Sequence, residues 1–325
     1  MLISLFILFL LWLCFGSFST VLVSRWQSGQ TGIMTGRSEC PTCKHILWFS
    51  ELFPVLSWLI QWGKCKNCKN SIPSFYPLSE LFMGVLFVWS WWIAYWFGYT
   101  WDNLMWWVFL FWTFVTGIYI IYDLRYMEIP DQIMVPAILI TLIFILWGLF
   151  WSEYAYFFDI SSYHTFHTFL TDHISSAIFL YSFFFLQILI PGTLFLIRQQ
   201  SYRAIPGLLL SYFTFPFVML FEFFRGTTSH RSVQDEQEIP SWIGWWDLRI
   251  ALFIGLTLWL IHTLSTILIA YVIWSIAGLT LIFYAKLQHK KVVHEVPFGP
   301  FLGIGWVLSL SLYSEILDYV HVLYM

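Results

Sequence analysis

Long apolar runs recur along this chain of 325 residues and constrain its fold more than any other feature. Each run is about 20 residues long, which is what an α-helix needs to cross a hydrocarbon core of about 30 Å. Charged residues make up only 10% of the chain, whereas soluble domains carry about 25%. We therefore predict an all-α polytopic membrane protein with about eight transmembrane helices. The predicted spans are residues 1–23, 78–98, 104–122, 133–151, 175–197, 248–264, 266–285 and 298–320.

The distribution of basic residues predicts how the chain is oriented. The loop 24–77 is short enough for basic residues to mark it as cytoplasmic, and it contains six of them against two acids. These residues are Arg25, Arg37, Lys44, Lys64, Lys66 and Lys69, with Glu39 and Glu51. We expect a first transmembrane helix at 1–23, a cytoplasmic loop at 24–77 and a membrane domain at 78–325. The lipid bilayer surrounds the spans, and a net charge of −3 gives no reason to expect a nucleic-acid partner.

One further apolar segment, 205–224, does not fit a simple crossing. It is flanked by arginines that predict a cytoplasmic location for both of its ends. These arginines are Arg198, Arg203, Arg225 and Arg231. A segment with both ends on one side must be re-entrant, kinked or interfacial. Pro206 and Pro216 can interrupt a helix, and irregular backbone is tolerated at membrane depth when protein surrounds it.

Four of the five cysteines form two C-x-x-C pairs in the cytoplasmic loop, Cys40 with Cys43 and Cys65 with Cys68. Two such pairs can bring four thiolates to one tetrahedral zinc ion. Two disulfides or redox-active pairs are the alternative, but a reducing cytosol disfavours disulfides. A zinc ion bound by four thiolates has no open position, so we expect Zn²⁺ to organise the loop.

Acidic residues beside predicted spans are candidates for chemistry, because ionisable groups are costly near a membrane. Asp123 ends the third span and Asp247 opens the sixth, and the charge count places both on the cytoplasmic side. Two close carboxylates can share one proton and activate a water molecule. Considered separately, Asp123 could form a surface ion pair with Arg125. Asp247 could cap the next helix, with Arg249 nearby.

Two acids compete with Asp123 for the first catalytic position, namely Glu128 and Asp131. Asp131 follows Pro130 and is the better candidate for a cap of the fourth span. Further along, the loop after that span carries Asp159, His164, His167, Asp172 and His173. A metal site there is less favoured than an interfacial surface, because aromatic residues alternate with these side chains.

An ordered series of motifs resembles the type IV prepilin peptidases, the bacterial branch of the GxGD aspartyl proteases. The matching elements are Gly16-Ser-Phe, Arg25, Gly36-Arg-Ser-Glu-Cys-Pro-Thr-Cys43, Pro54-Val-Leu-Ser-Trp58, Gly63-Lys-Cys-Lys-Asn-Cys68, Tyr76-Pro77, Glu80-Leu81, Asp123, Ile129-Pro-Asp131, Gly244-Trp-Trp-Asp247 and Pro297-Phe-Gly-Pro-Phe-Leu302. They cover most of the chain and occur in the family's order.

The resemblance implies a membrane aspartyl endopeptidase of the bacterial inner membrane, with Asp123 and Asp247 as its catalytic pair. Its substrates would be type IV pilin-like precursors, cut after a short basic leader at the cytoplasmic face. Many members also methylate the new N-terminus with S-adenosylmethionine, an activity tied to the cysteine loop. The same likeness implies substrate-site roles for Glu80, Gly244, Pro297, Gly299 and Pro300.

Three features depart from the family pattern. The second glycine of the GxGD element is Trp246, Thr20 stands where the family usually has Asn, and the segment 205–224 looks inserted. The altered GxGD element motivates the alternative function, a non-catalytic membrane assembly protein that binds pilin precursors. Cleavage of a precursor by the purified protein distinguishes the two functions.

Overall fold

The computed structural model describes residues 2–27, 37–96, 104–147, 166–225, 244–288 and 296–312. Within these ranges the chain forms helices, turns and two isolated β-bridges, and no named strand. The helices are α1 (Leu2–Gln27), α2 (Leu56–Ile60), α3 (Phe75–Trp96), α4 (Leu104–Tyr126), α5 (Asp131–Trp147), α6 (Phe166–Arg198), α7 (Ile205–Arg225), α8 (Asp247–Thr257), α9 (Leu260–Leu287) and α10 (Gly299–Ser311). The predicted all-α class is therefore confirmed.

Six of these helices are long and apolar enough to cross a membrane: α1, α3, α4, α6, α7 and α9. Two shorter apolar helices, α5 and α10, accompany them. The chain divides into two compact units, Met1–Arg125 and Tyr126–Met325. The multi-pass membrane architecture that the apolar runs predict is thus present.

The first unit is built on close packing between α1 and α3. Gly16 makes this approach possible, because an added Cβ would lie 2.8 Å from the Cα of Glu80. One turn before Gly16, the indole of Trp12 stacks on the ring of Phe87 in α3. The loop that joins the two helices is therefore anchored at both ends by one tightly packed helix pair.

The second unit is built around α8. Ten of the eleven residues of this short helix are buried, chiefly against α6 and α5. Gly255 allows α6 to come close, since an added Cβ would lie 2.4 Å from the Cα of Ala177. The helix that begins with Asp247 is therefore held in the core of this unit.

The predicted span 248–264 is wrong in its boundaries. Its apolar run is divided between α8 and α9, because Leu258 and Trp259 are extended and end the first helix. His173 of α6 stabilises this break: its Nδ1 donates to the carbonyl oxygen of Leu256 at 2.9 Å, and its Nε2 accepts from the indole of Trp259 at 3.2 Å. Hydropathy is uniform across the break, so only the partner in α6 reveals it.

The same interactions change the interpretation of His173, which the sequence placed on an interfacial surface. The residue is 1% exposed and both of its ring nitrogens have protein partners. His173 is therefore a buried structural histidine. The side chains of Asp159, His164 and His167 lie outside the described residues.

The segment predicted to be re-entrant, kinked or interfacial forms the continuous helix α7. Pro206 is tolerated because it lies in the first turn, where a backbone N–H would have no helical partner. Pro216 lies inside the helix without ending it. The interrupted path is therefore wrong, and α7 is long and apolar enough to be a span. That both ends of the segment lie on one side of the membrane stays a prediction.

Candidate functional site

The four cysteines of the loop converge on one point. Their Sγ atoms all lie within 4.8 Å of one another, with Cys40 and Cys68 at 3.9 Å and Cys43 and Cys65 at 4.0 Å. Tetrahedral zinc with Zn–S bonds of about 2.3 Å separates its sulfurs by roughly 3.8 Å. A disulfide would need about 2.05 Å. The geometry fits a tetrathiolate metal site and not a pair of disulfides.

The two cysteine pairs lie on two copies of the same turn. Each turn contains three backbone hydrogen bonds, and each bond has its counterpart in the other turn. In the first turn the N–H groups of Cys40, Lys44 and Leu47 donate to the carbonyl oxygens of His45, Cys40 and Ser38, respectively. In the second turn the N–H groups of Cys65, Lys69 and Ile72 donate to those of Asn70, Cys65 and Gly63. Lys44 and Lys69 both adopt positive φ, 57° and 60°, at equivalent positions. Two equal turns facing each other produce the symmetric sulfur arrangement.

Backbone amides at these turns point at the sulfurs and favour thiolates. The N–H groups of Cys43 and Thr42 lower the pKa of the Cys40 thiol to about 6. The N–H of Asn70 acts in the same direction on Cys68, but burial and the neighbouring sulfurs raise the pKa of that thiol to about 11. Four crowded sulfurs cannot all be charged without a compensating cation, which is what a metal ion supplies.

Glu80 connects the cysteine loop to the helix pair beneath it. The side chain is 8% exposed, its Oε2 accepts a hydrogen bond of 2.7 Å from the N–H of Val55, and Ser17 of α1 is a second partner. Val55 is the centre of a γ-turn with φ 60° and ψ −52°, closed by a bond from Leu56 to Pro54. This conformation is rare and strained for a β-branched residue. Glu80 therefore holds a strained turn in place.

Asp123 lies at the end of α4 in the first unit and is 5% exposed. The guanidinium of Arg125 lies over the rings of Phe75 and Tyr76, at 4.7 and 5.3 Å from their centroids. Asp123 is therefore a buried carboxylate, and the surface-ion alternative does not fit.

Asp247 lies in the second unit, where it closes a tight turn with Gly244. The N–H of Gly244 donates to Oδ2 of Asp247 at 3.1 Å, and the N–H of Asp247 donates back to the carbonyl oxygen of Gly244 at 3.1 Å. Asp247 is 9% exposed. A Cβ at Gly244 would meet that Oδ2 at 3.4 Å before any other atom. An added Cβ at Gly244 would therefore border the carboxylate at an ordinary contact distance.

The two tryptophans that precede Asp247 pack onto neighbouring side chains. The ring of Trp245 contacts those of Phe185 in α6 and Phe215 in α7, with centroids 6.2 and 5.9 Å apart. The ring of Trp246 lies 4.6 Å from the guanidinium of Arg249. Trp245 thus packs against helix α7, and the turn is kept although Trp246 replaces the second glycine of the element.

Asp131, which the sequence interprets as a helix cap, forms an ion pair. Its Oδ2 accepts from Nη2 of Arg249 at 3.0 Å, and its Oδ1 contacts Nε of the same residue. Arg249 is 4% exposed. A carboxylate held by two guanidinium nitrogens is not free to share a proton with a second acid. Sequence reasoning missed this pair, although an arginine inside an apolar run is itself a signal.

The element Pro297-Phe-Gly-Pro begins α10, with Pro300 in its first turn. The ring of Phe298 packs on Tyr271 of α9 and Phe184 of α6, with centroids 4.8 and 5.8 Å apart. Tyr271 in turn interacts electrostatically with Asp247. Phe298 therefore fixes the start of α10, with Pro297, Gly299 and Pro300, against α9 and α6. Asp123 belongs to the first unit, so its pairing with Asp247 stays a prediction.

Together, the helices and the cysteine site define a multi-pass membrane protein with a metal-binding loop. Residues 10–94 match the family of the bacterial peptidase A24 N-terminal domain. This stretch contains most of α1, the whole cysteine loop and most of α3. The predicted resemblance to the type IV prepilin peptidase family is thereby confirmed.

Several relatives carry the name prepilin leader peptidase/N-methyltransferase, and three of them illustrate the range of similarity. The protein of Myxococcus xanthus (strain DK1622) is 45% identical over 80 residues, 25% of this chain and 24% of the relative. That of Bacillus subtilis (strain 168) is 42% identical over 81 residues, 25% of this chain and 32% of the relative. That of Burkholderia pseudomallei (strain 1026b) is 25% identical over 274 residues, 84% of this chain and 66% of the relative.

The similarity is concentrated in the N-terminal part of the chain. The matched region spans about a quarter to a third of the first two relatives' own length. No solved structure matches the chain significantly.

Proposed function

We propose that this chain is a membrane aspartyl endopeptidase that removes the leader peptide from type IV pilin-like precursors. The observation that carries the proposal is the Asp247 turn, in which a buried carboxylate is held by the N–H of Gly244 at 3.1 Å. The names of the relatives and the match over residues 10–94 support the same activity. The location that follows is the cytoplasmic face of the bacterial inner membrane.

In the proposed reaction Asp123 and Asp247 share one proton between them. The ionised carboxylate takes a proton from water as the water attacks the scissile carbonyl, and the protonated carboxylate donates to the developing oxyanion and later to the leaving amine. Asp131 is an unsuitable partner because Arg249 binds its carboxylate. Because Arg249 already binds Asp131, Asp123 is the better candidate for the first member of the pair.

The cysteine loop has a structural role in this proposal. Cys40, Cys43, Cys65 and Cys68 would hold one zinc ion, which supplies a fixed tetrahedral cross-link and no open coordination site. The loop would thereby hold the γ-turn at Val55 against Glu80. S-adenosylmethionine would serve as methyl donor for methylation of the new N-terminus. The relatives are named for this second activity as well as for the first.

The test is cleavage of pilin-like precursors from the same genome by the purified protein. Asp123→Asn and Asp247→Asn should each remove nearly all cleavage, because an amide can neither take the water's proton nor share one. Glu128→Gln is the matched control and should cleave like the wild type. If Asp247→Asn cleaves as well as the wild type, the Gly-Trp-Trp-Asp element is not part of the active site.

Two further outcomes test the remaining parts of the proposal. Cysteines introduced next to Asp123 and next to Asp247 should both react with an impermeant reagent from the cytoplasmic side alone. Labelling of either site from outside would contradict the shared face. If the wild type binds precursors without cutting any, the assembly-protein function replaces the protease.

A further inference from the structure

The segment between the two cysteine turns exposes an unusual number of large apolar side chains. Phe49 is 82% exposed, Ile60 76% and Trp62 87%. The full set is Ile46, Trp48, Phe49, Leu52, Phe53, Leu56, Leu59, Ile60 and Trp62. We call residues 46–62 the apolar segment. Surfaces of water-facing loops rarely carry so many exposed apolar groups together, so this one needs a partner.

The apolar segment presents no formal charge to its surroundings. Its one charged residue is Glu51, whose side chain is 3% exposed. Oε2 of Glu51 accepts from the N–H of Trp48 at 2.9 Å and contacts Nε2 of His45 at 3.2 Å. The carboxylate therefore turns inward and stabilises the first bend of the segment, while Trp48 and Phe49 point outward.

Lysines border the apolar segment on both sides. They are Lys44 in the first cysteine turn and Lys64, Lys66 and Lys69 in the second, all of them exposed. Aromatic and aliphatic side chains bordered by lysines are typical of a surface that enters the boundary between lipid headgroups and acyl chains. Lysines near an anionic membrane surface are attracted to it, and Lys44 also pairs with Glu39 at 2.8 Å.

The bond from Val55 to Glu80 sets the depth of the apolar segment. Glu80 is the sixth residue of the spanning helix α3, which begins at Phe75. At a rise of about 1.5 Å per residue, Glu80 lies roughly 8 Å along α3 from its start, and its side chain holds Val55 near that height. The headgroup layer on each side of a bilayer is about 5–8 Å thick. A turn fixed at that height meets the membrane surface.

We infer that the apolar segment lies in the membrane surface and binds anionic lipid, so that the cysteine loop rests on the bilayer. Leu78 and Leu81 in the first turns of α3 are 61% and 42% exposed, which continues the apolar surface from the segment into the span. The inference concerns how the loop is held and does not depend on the proteolytic activity.

The test uses the full chain, with zinc, in liposomes that contain phosphatidylglycerol. Benzoylphenylalanine is introduced separately in place of Phe49, Ile60 and, as the control, Asn67, which is exposed at the tip of the second cysteine turn. After illumination, lipid crosslinks are counted by mass spectrometry. We expect several-fold more lipid adducts at positions 49 and 60 than at 67, and fewer when phosphatidylcholine replaces phosphatidylglycerol.

Two results would overturn the inference. Lipid adducts at positions 49 and 60 that do not exceed those at 67 would show that the segment stands away from the bilayer. Crosslinks to a second copy of the chain or to an added pilin precursor, in place of lipid, would show that a protein covers it. Thermal unfolding like that of the wild type reports that each variant is folded, so the result does not depend on whether the chain cleaves precursors.

Discussion

The carboxylate of Asp131 is bound by two nitrogens of Arg249, which ties the first turn of α8 to the first turn of α5. Arg249 is 4% exposed and also lies over the ring of Phe215 in α7, at 5.6 Å. One buried cation therefore connects three helices two residues after Asp247. It thereby helps to fix where the Gly244–Asp247 turn sits in the second unit.

The first prediction concerns this ion pair. Asp131→Asn should cost about 3 kcal/mol of unfolding free energy, because it removes the carboxylate that binds a buried guanidinium and leaves Glu222 as the remaining acid that acts on it. The sequence alone predicts about 1 kcal/mol, the loss of a helix cap. Unfolding in mixed micelles of increasing denaturing detergent measures the difference. The double variant Asp131→Leu with Arg249→Met should recover part of the loss, and a cost of about 1 kcal/mol or less for Asp131→Asn would contradict the pairing.

The second prediction compares two glycines. Gly244→Ala should leave stability close to that of the wild type, since the new Cβ meets only ordinary contacts at 3.4 Å and beyond. It should nevertheless lower kcat/KM for precursor cleavage, because that Cβ lies against Oδ2 of Asp247 and restricts approach to it. Gly255→Ala should mainly lower stability. Its Cβ would lie 2.4 Å from the Cα of Ala177 in α6, so the variant should unfold more easily. Equal effects on stability and cleavage at position 244 would argue against an access role.

The third prediction concerns the strained turn at Val55. Glycine accepts positive φ without the steric cost that a β-branched residue bears. We therefore expect Val55→Gly to be more stable than Val55→Ala, which keeps the strain and loses the side chain. This order is the opposite of the usual one, in which glycine is the less stable by about 0.5–1 kcal/mol. Thermal unfolding of the two variants gives the sign directly.

Glu80 provides the companion test for that turn. Glu80→Gln keeps an acceptor for the N–H of Val55 and should be mild, whereas Glu80→Leu leaves that donor unsatisfied at a cost of about 1–3 kcal/mol. If both substitutions have the same effect, the bond of 2.7 Å does not hold the loop.

The fourth prediction is that the purified chain contains about one equivalent of zinc, measured by elemental analysis. Cys43→Ser and Cys68→Ser should each lower the zinc content and expose the loop to protease, while Cys14→Ser should change neither. Four titratable thiols together with no zinc in the wild type would refute the site. If a single variant retains part of the zinc, three thiolates are enough to bind the ion.

Much of this protein follows from its sequence. Apolar run length determines the membrane class because backbone polar groups in lipid must be satisfied within each helix. The cysteine spacing determines the site at Cys40 and Cys68 because a short turn holds each pair at a fixed separation, whatever surrounds it. Both are local properties, and the structure confirms the helical class and the convergence of the four sulfurs.

Tertiary packing determined the helix end and the residue roles that the sequence did not predict, and the physical reason is the same in each case. The end of α8 depends on His173 of another helix, the role of Asp131 depends on Arg249, and the role of Glu80 depends on Val55. Each partner is distant in sequence, and hydropathy or capping rules consider only neighbours along the chain. A buried polar group takes its function from the partner that satisfies it, so these roles became visible only once the helices were packed.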